Sequence, residues 1–386
     1  MKRILIITTS LTGMGHKSAS DSIEGELSSY KDLYVKTIEG FELGSEWYKA
    51  QSQIYSKSVK LSYDLWHFLW VTSDIGYKEI NMYISKKIEK KFLATVKEVK
   101  PDLILTVQPM FVGSILNIME HYYMDIPFGV CITDIVSISN FWTDKRANFV
   151  ICPTEECKEA CLVRGVDEKR IQSLSYPLRP QFLKVLDKSM DFRIQFMKRC
   201  ELKNQVNILM VAGGDGTANF YDICDKIRKK LSHKYKFSIT IVTGRNMVLK
   251  AELEKKFKVW GKDKRFYITV KGFVKNMEHE YMNNNIGILR ASPGVMMEGV
   301  ACRLPMIFFD YIPGQESGNG EFAQKNGIGT LCSSSEEIIN KIENYIGEDF
   351  KVMKDMIYRQ NEFYHKYLNK PLGKYLYDFI NNKTTL

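Results

Sequence analysis

Residues 3–28 read RILIITTSLTGMGHKSASDSIEGELS. An Ile-rich run from Arg3 to Thr9 meets a turn at Ser10 to Gly15, and a helix-forming stretch follows from Lys17 to Ser28. A short apolar run bounded by turn residues marks a buried strand, and the order strand, glycine loop, helix opens a parallel α/β sheet. About 200 residues further on the order returns in VNILMVAGGDGTANFYDICDKIRKKL, residues 206–231. Here the strand is Val206–Ala212, the loop Gly213–Gly216 and the helix Thr217–Leu231. Two such units in one chain predict two α/β domains.

Short apolar runs at Leu103–Val107, Pro127–Thr133 and Phe149–Cys152 continue the first sheet. In the second half, strands are expected at Ser238–Val242, Phe266–Val270, Ile286–Leu289 and Met306–Phe309, with helices at Asn246–Phe257 and Val295–Ala301. The polar stretch Asp187–Gln205 reads as the linker, with room for a short helix. These boundaries give an N-terminal domain over 1–195, a second over 200–350 and C-terminal helices over 351–386 that can cross back to the first domain. Residues 42–100 are too long for a loop and have no strand character. Their aromatics, Trp47, Tyr55, Trp66, Phe68 and Trp70 among them, fit either a helical excursion packed on its own sheet or an interfacial helix with Lys86, Lys87, Lys90, Lys91, Lys97 and Lys100 beyond it.

The chain has 386 residues, 45% hydrophobic and 26% charged, the balance of a globular protein with a sizeable core. No stretch approaches the roughly 18–20 apolar residues of a spanning helix, and no export signal is visible. Lys plus Arg exceed Asp plus Glu by 55 to 45, so the net charge of +10 favours an anionic partner. Nucleic acid is not expected, because no zinc-ligand spacing, aromatic RNA-binding motif or recognition-helix pattern accompanies the charge. Eight cysteines without a CxxC pair indicate a reducing compartment, and Cys157 with Cys161, one helical turn apart, reads as a buried pair rather than a metal site. No metal ligands are assigned.

Five segments carry candidate chemistry. In TGMGH, Gly13 and Gly15 clear the way for an anion or sugar hydroxyl to reach backbone amides at a helix start, although the loop is neither a Walker loop nor GxGxxG. His16, at its mouth, is either a helix-end hydrogen-bonding residue or an acid-base group. GGDG offers a second nest of amides through Gly214 and Gly216, with Arg245 as a phosphate partner. SPGVMMEG, residues 292–299, places Ser292, Gly294 and Glu298 where a carboxylate can accept two ribose hydroxyls, or simply cap a helix. DYIPGQESGNG, residues 310–320, adds Gln315, Glu316 and Asn319 at a strand end, and Thr133-Asp134 ends another strand.

Taken in order, SLTGMGHKSAS, PDLILTVQPM, CITDIVSISNFW, CPTEE, YPLRPQF, VAGGDG, VTGRN, VKGFVKNME, ASPGVMMEG and DYIPGQESGN resemble the lipid glycosyltransferases that include monogalactosyldiacylglycerol synthase and the processive diacylglycerol glucosyltransferases. The resemblance implies an α/β, glycosyltransferase B-type fold, two Rossmann-like domains facing a cleft. It implies inverting, metal-independent transfer of glucose or galactose from UDP-glucose or UDP-galactose to the 3-hydroxyl of diacylglycerol, the UDP-sugar being substrate and no cofactor being needed. His16 and Asp134 become alternative catalytic bases. Gly15, Arg179, Gly214, Gly216, Arg245, Phe273, Val274, Ser292, Gly294, Glu298, Gln315, Glu316 and Asn319 take the donor. Trp47, Tyr55, Trp66, Phe68, Trp70 and Gln108 fall on the acceptor and membrane side. Gln108 stands where plant-type members carry His, and Met14, Arg290, Ser292, Val295 and Met297 also depart from the family pattern, so the donor sugar stays open. The implied location is cytoplasmic, held peripherally on the inner face of the cell membrane by anionic lipid. A prenyl-linked or other lipid acceptor, and a non-catalytic UDP-sugar-binding protein at a membrane, remain alternatives.

Overall fold

The computed structural model describes residues 1–10, 14–45, 63–211, 220–261 and 265–382. They form two compact units, one of Met1–Pro180 with Ile312–Ser317 and the chain from Tyr367 on, the other of Gln181–Tyr311 with Gly318–Lys366.

The first unit runs β1 (Lys2–Thr8), α1 (Met14–Leu27), β2 (Leu33–Glu39), α2 (Tyr63–Ile75), α3 (Tyr77–Val99), β3 (Leu103–Thr106), α4 (Val112–His121), β4 (Phe128–Cys131), β5 (Phe149–Cys152), α5 (Glu155–Val163) and β6 (Ile171–Ser173). All neighbouring strands are parallel, in the order β2-β1-β3-β4-β5-β6. Strand alternation divides the core between the two faces of this sheet. Leu5, Ile7, Ile104 and Val150 meet Ile84, Ile88 and Phe92 of α3 on one side. Ile4, Ile6, Leu105 and Ile151 meet Ala19, Ile23 and Leu27 of α1 on the other. Burial on both faces is why these strands read as unbroken apolar runs.

The second unit runs α6 (Leu186–Leu202), β7 (Gln205–Val211), α7 (Phe220–Lys230), β8 (Lys236–Val242), α8 (Met247–Lys258), β9 (Phe266–Lys271), α9 (Met277–Met282), β10 (Ile286–Arg290), α10 (Pro293–Ala301), β11 (Met306–Asp310), α11 (Asn319–Lys325), β12 (Thr330–Leu331), α12 (Ser335–Ile346) and α13 (Lys351–Tyr367). Its parallel order, β12-β11-β10-β7-β8-β9, is the doubly wound arrangement in which the strand sequence reverses between the first and fourth strands. The stretch expected as a linker is largely α6. Its Arg193 is fully buried, and the guanidinium donates to the carbonyls of Tyr281 and Cys302 at 2.9 and 2.8 Å and also to that of Asn284. The short helix allowed for in that stretch is instead a long one that locks the second unit.

After α13 the chain returns to the first unit as α14 (Leu372–Ile380). Leu372, Leu376 and Ile380 complete the core face built on Ile4 and Ile6. The Gly373 amide donates to Glu26 Oε2 at 2.7 Å, joining α14 to α1.

Candidate functional site

Parallel strands put all their carboxyl ends on one edge, and the point where strand order reverses leaves a crevice there. In the first unit that point lies between β1 and β3. His16, in the first turn of α1, spans it: Nδ1 lies 2.8 Å from the Val107 carbonyl beyond β3 and 3.2 Å from Thr133 Oγ1 beyond β4. A carbonyl only accepts, so Nδ1 carries the proton and Nε2 keeps its lone pair. Burial pushes the imidazole pKa down to about 4 against the smaller opposing effect of the Val107 bond, so the ring is neutral near pH 7.

Asp134 follows Thr133 and is buried. The indole Nε1–H of fully buried Trp142 donates to Asp134 Oδ2 at 2.6 Å, and the Trp142 ring lies 6.0 Å from the His16 ring. Desolvation pushes the carboxyl pKa up to about 7. The Trp142 bond opposes that rise, nearby Glu316 adds to it, and a Gln315 hydrogen bond opposes it. Asp134 thus sits where it can exchange a proton near neutrality. Glu316 is itself ordered by the Ile312 amide, which donates to its Oε2 at 2.6 Å, and Ser137 Oγ donates to the Ser317 carbonyl at 2.6 Å. The structure therefore assembles His16, Thr133, Asp134, Trp142, Gln315 and Glu316 in one place.

The second unit has its own edge of strand ends. Beyond β10, Ser292 precedes α10, whose Pro293 occupies the first turn, with Gly294 beside it and Glu298 buried. Asn319 Nδ2 donates to the Ala291 carbonyl at 2.9 Å, tying the start of α11 to this turn. Beyond β8 and β9, Gly244 at φ 60° and Gly272 lie close together, a Cβ on Gly272 falling 3.7 Å from the Gly244 carbonyl. Exposed Arg245 and Phe273 and half-buried Val274 follow them. Gly214 and Gly216 lie outside the described residues.

Comparison with known proteins finds relatives over most of the chain. The family model for monogalactosyldiacylglycerol synthase matches residues 16–178. The processive diacylglycerol beta-glucosyltransferase of Staphylococcus carnosus is 27% identical over 92% of this chain and 89% of its own length. Monogalactosyldiacylglycerol synthase 3 of Arabidopsis thaliana is 25% identical over 92% of this chain and 77% of its own. The chain is a glycosyltransferase related to these enzymes. Among solved structures, MurG of Acinetobacter baumannii superposes with a TM-score of 0.63 at 13% identity, covering 99% of this chain and 100% of that one. HepE of Anabaena, solved with UDP-glucose, gives 0.55 at 14% identity over 99% of each chain. The fold is the glycosyltransferase B type.

The remaining predicted residues of this glycosyltransferase are distributed as follows. Gly15 opens α1, and a Cβ there would meet nothing within 4 Å. Arg179 is half-buried at the end of the first unit's main segment. Gln108 is buried, and its Oε1 accepts from the Met110 amide at 2.7 Å, so the side chain caps the turn after β3. Phe68 is exposed on α2, whereas Trp70 is half-buried against Gly314, where a Cβ would lie 2.9 Å from Trp70 Cδ2. Trp47 and Tyr55 lie outside the described residues, as does the Trp66 side chain. Lys91, expected as a lipid-facing charge, donates to the carbonyls of Glu42 and Gly44 at 2.9 and 2.7 Å.

Trp142 belongs to the site without having been singled out in the sequence, and Thr133 was named there only as the residue before Asp134. The signal for Trp142 was its chemistry: an indole N–H is a donor that a core residue must satisfy, and Asp134 lies eight residues before it. Among the described residues, Cys152, Cys157 and Cys161 form the group that could hold a soft cation, their sulfurs lying within 4.8 Å of one another in the apolar core. Cys152 at the end of β5 thus joins the Cys157 and Cys161 pair expected from the sequence.

Proposed function

We propose that the protein transfers glucose or galactose from a UDP-sugar to the 3-hydroxyl of 1,2-diacylglycerol, with inversion, to make a membrane glycolipid. The observation that carries the reading is a buried Asp134, held by Trp142 and poised near pH 7 beside neutral His16 at the strand-order reversal. Of the two candidate bases, Asp134 is favoured: burial raises its affinity for a proton toward neutrality, whereas burial lowers that of His16. Asp134 takes the hydroxyl proton as the acceptor oxygen attacks the anomeric carbon, and the electron pair of the breaking bond leaves with UDP. His16 Nε2 orients the same hydroxyl. Glu298 takes the ribose hydroxyls, Gln315, Glu316 and Asn319 the donor sugar, and helix starts with loop amides the departing diphosphate. The relationship to diacylglycerol glycosyltransferases over nine-tenths of the chain supports this acceptor.

The test offers radiolabelled UDP-glucose, UDP-galactose and UDP-N-acetylglucosamine with diacylglycerol in anionic vesicles and identifies the glycolipid formed. Diacylglycerol-dependent UDP release is expected, with Asp134→Asn lowering kcat by about 10²–10⁴-fold and Glu298→Ala weakening donor binding. Transfer to a prenyl-linked lipid but not to diacylglycerol would overturn the acceptor. Donor binding without turnover of any lipid would overturn the enzymatic reading.

A further inference from the structure

Asp74 closes the last turn of α2, far in sequence from the strand ends, yet its side chain reaches the segment that carries Trp142. The Asn140 amide donates to Asp74 Oδ1, and Asn140 Nδ2 donates to Asp74 Oδ2 at 3.1 Å and to the Asp74 carbonyl at 3.2 Å. Asn140 begins the single 3-10 turn Asn140–Trp142, and the Trp142 amide closes that turn on the Ser139 carbonyl at 3.1 Å. A turn this short has little stiffness of its own, so a carboxylate gripping both the backbone and the side chain of its first residue fixes where its last residue points. Trp142 is that last residue, and its indole holds Asp134.

We propose that Asp74 is a positioning residue for the transfer reaction, a latch by which α2 sets the Asn140–Trp142 turn and, through the Trp142 indole, the orientation of Asp134. The inference rests on the reading of Asp134 as the base. α2 is fixed to the other side of the same site as well, because Trp70 packs on Gly314, one residue before Gln315. One helix therefore holds both the base and the loop that bears on it. Phe68, Val71 and Ile75, spaced along α2 at helical intervals, are 64%, 38% and 78% exposed. The helix that orders the base also presents an apolar face to its surroundings, where an acceptor in a lipid phase would arrive.

The test uses the full chain with Asp74→Ala and Asp74→Asn. D74A removes both side-chain acceptors, whereas D74N keeps one oxygen for the Asn140 amide and loses the second acceptor and the charge. D74A is expected to lower kcat about tenfold or more with donor KM within twofold of wild type, and D74N to lose less. The second readout needs no activity. In protein labelled with ¹⁵N-tryptophan, the Trp142 indole signal, assigned by its disappearance in Trp142→Phe, should move in D74A and move less in D74N. An unmoved indole signal in D74A, or a wild-type kcat in an active preparation, overturns the latch. A wild-type protein that transfers no sugar overturns the proposed function and leaves the indole measurement to decide the latch on its own.

Discussion

At the residue scale, the two candidate bases are separated by how each is desolvated. His16 gives its one proton to a carbonyl and loses water, so burial favours the neutral ring. Asp134 also loses water, and for a carboxyl the same loss favours the protonated form, so its affinity for a proton rises toward neutrality. The groups facing it act in known directions: Trp142 and Gln315 stabilise the carboxylate, Glu316 opposes it, and His16 is uncharged. Since the base works deprotonated, kcat/KM is expected to fall with decreasing pH along a limb with apparent pKa about 7. Trp142→Phe removes a bond to the carboxylate and should carry that limb to higher pH, whereas Glu316→Gln removes a like charge and should carry it lower, each by roughly 1. Opposite movements in a pH–rate profile identify Asp134 as the titrating group. Movement in the same direction, or a limb near pH 4, would assign the chemistry elsewhere.

At the element scale, α14 is the piece on which the first unit depends across the greatest length of chain. Its Leu372, Leu376 and Ile380 cover the sheet face of Ile4 and Ile6, and the Gly373 amide is held by Glu26 of α1. Leu376 is fully buried, so Leu376→Ala should cost about 2–5 kcal/mol in urea unfolding of the first unit's transition, whereas Lys374→Ala, whose salt bridge with Asp378 is exposed, should change little. Comparable effects of the two would mean that α14 is not part of that core. The amphipathic break at Pro371 to Gly373 made this helix legible in the sequence, and strands buried on both faces were legible for the same kind of reason. What escaped were β2, β6 and β12, all at sheet edges, where packing is incomplete and no unbroken apolar run is required. The site divides similarly. His16, Asp134 and Glu298 stand in recognisable strand-end motifs, whereas Trp142 and Asp74 act through contacts between segments that no local spacing encodes.

At the scale of the whole molecule, the net charge of +10 must be reconciled with the proposed membrane-lipid acceptor. No described helix is long and apolar enough to cross one. α3 shows how a surface could be engaged instead: Ile84, Ile88 and Phe92 are buried in the unit's core, while Met82, Tyr83, Lys86, Lys87 and Lys90 point outward. Lys87 Nζ lies 5.2 Å from the Tyr83 ring centre, so charge and aromatic surface are presented together. A basic residue near an anionic bilayer contributes about 1 kcal/mol, and replacing Lys86, Lys87 and Lys90 by Gln should then weaken binding to anionic vesicles by roughly 100-fold at low salt. Flotation should show the wild-type protein on anionic vesicles but not on neutral ones, with binding lost as salt shortens the screening length to a few ångströms. Attraction of this kind concentrates the enzyme at the surface without altering the chemistry, so the triple variant should keep its kcat when diacylglycerol is supplied in detergent micelles and lose rate only on vesicles. Equal flotation on neutral and anionic vesicles would show that the surplus charge serves something other than lipid.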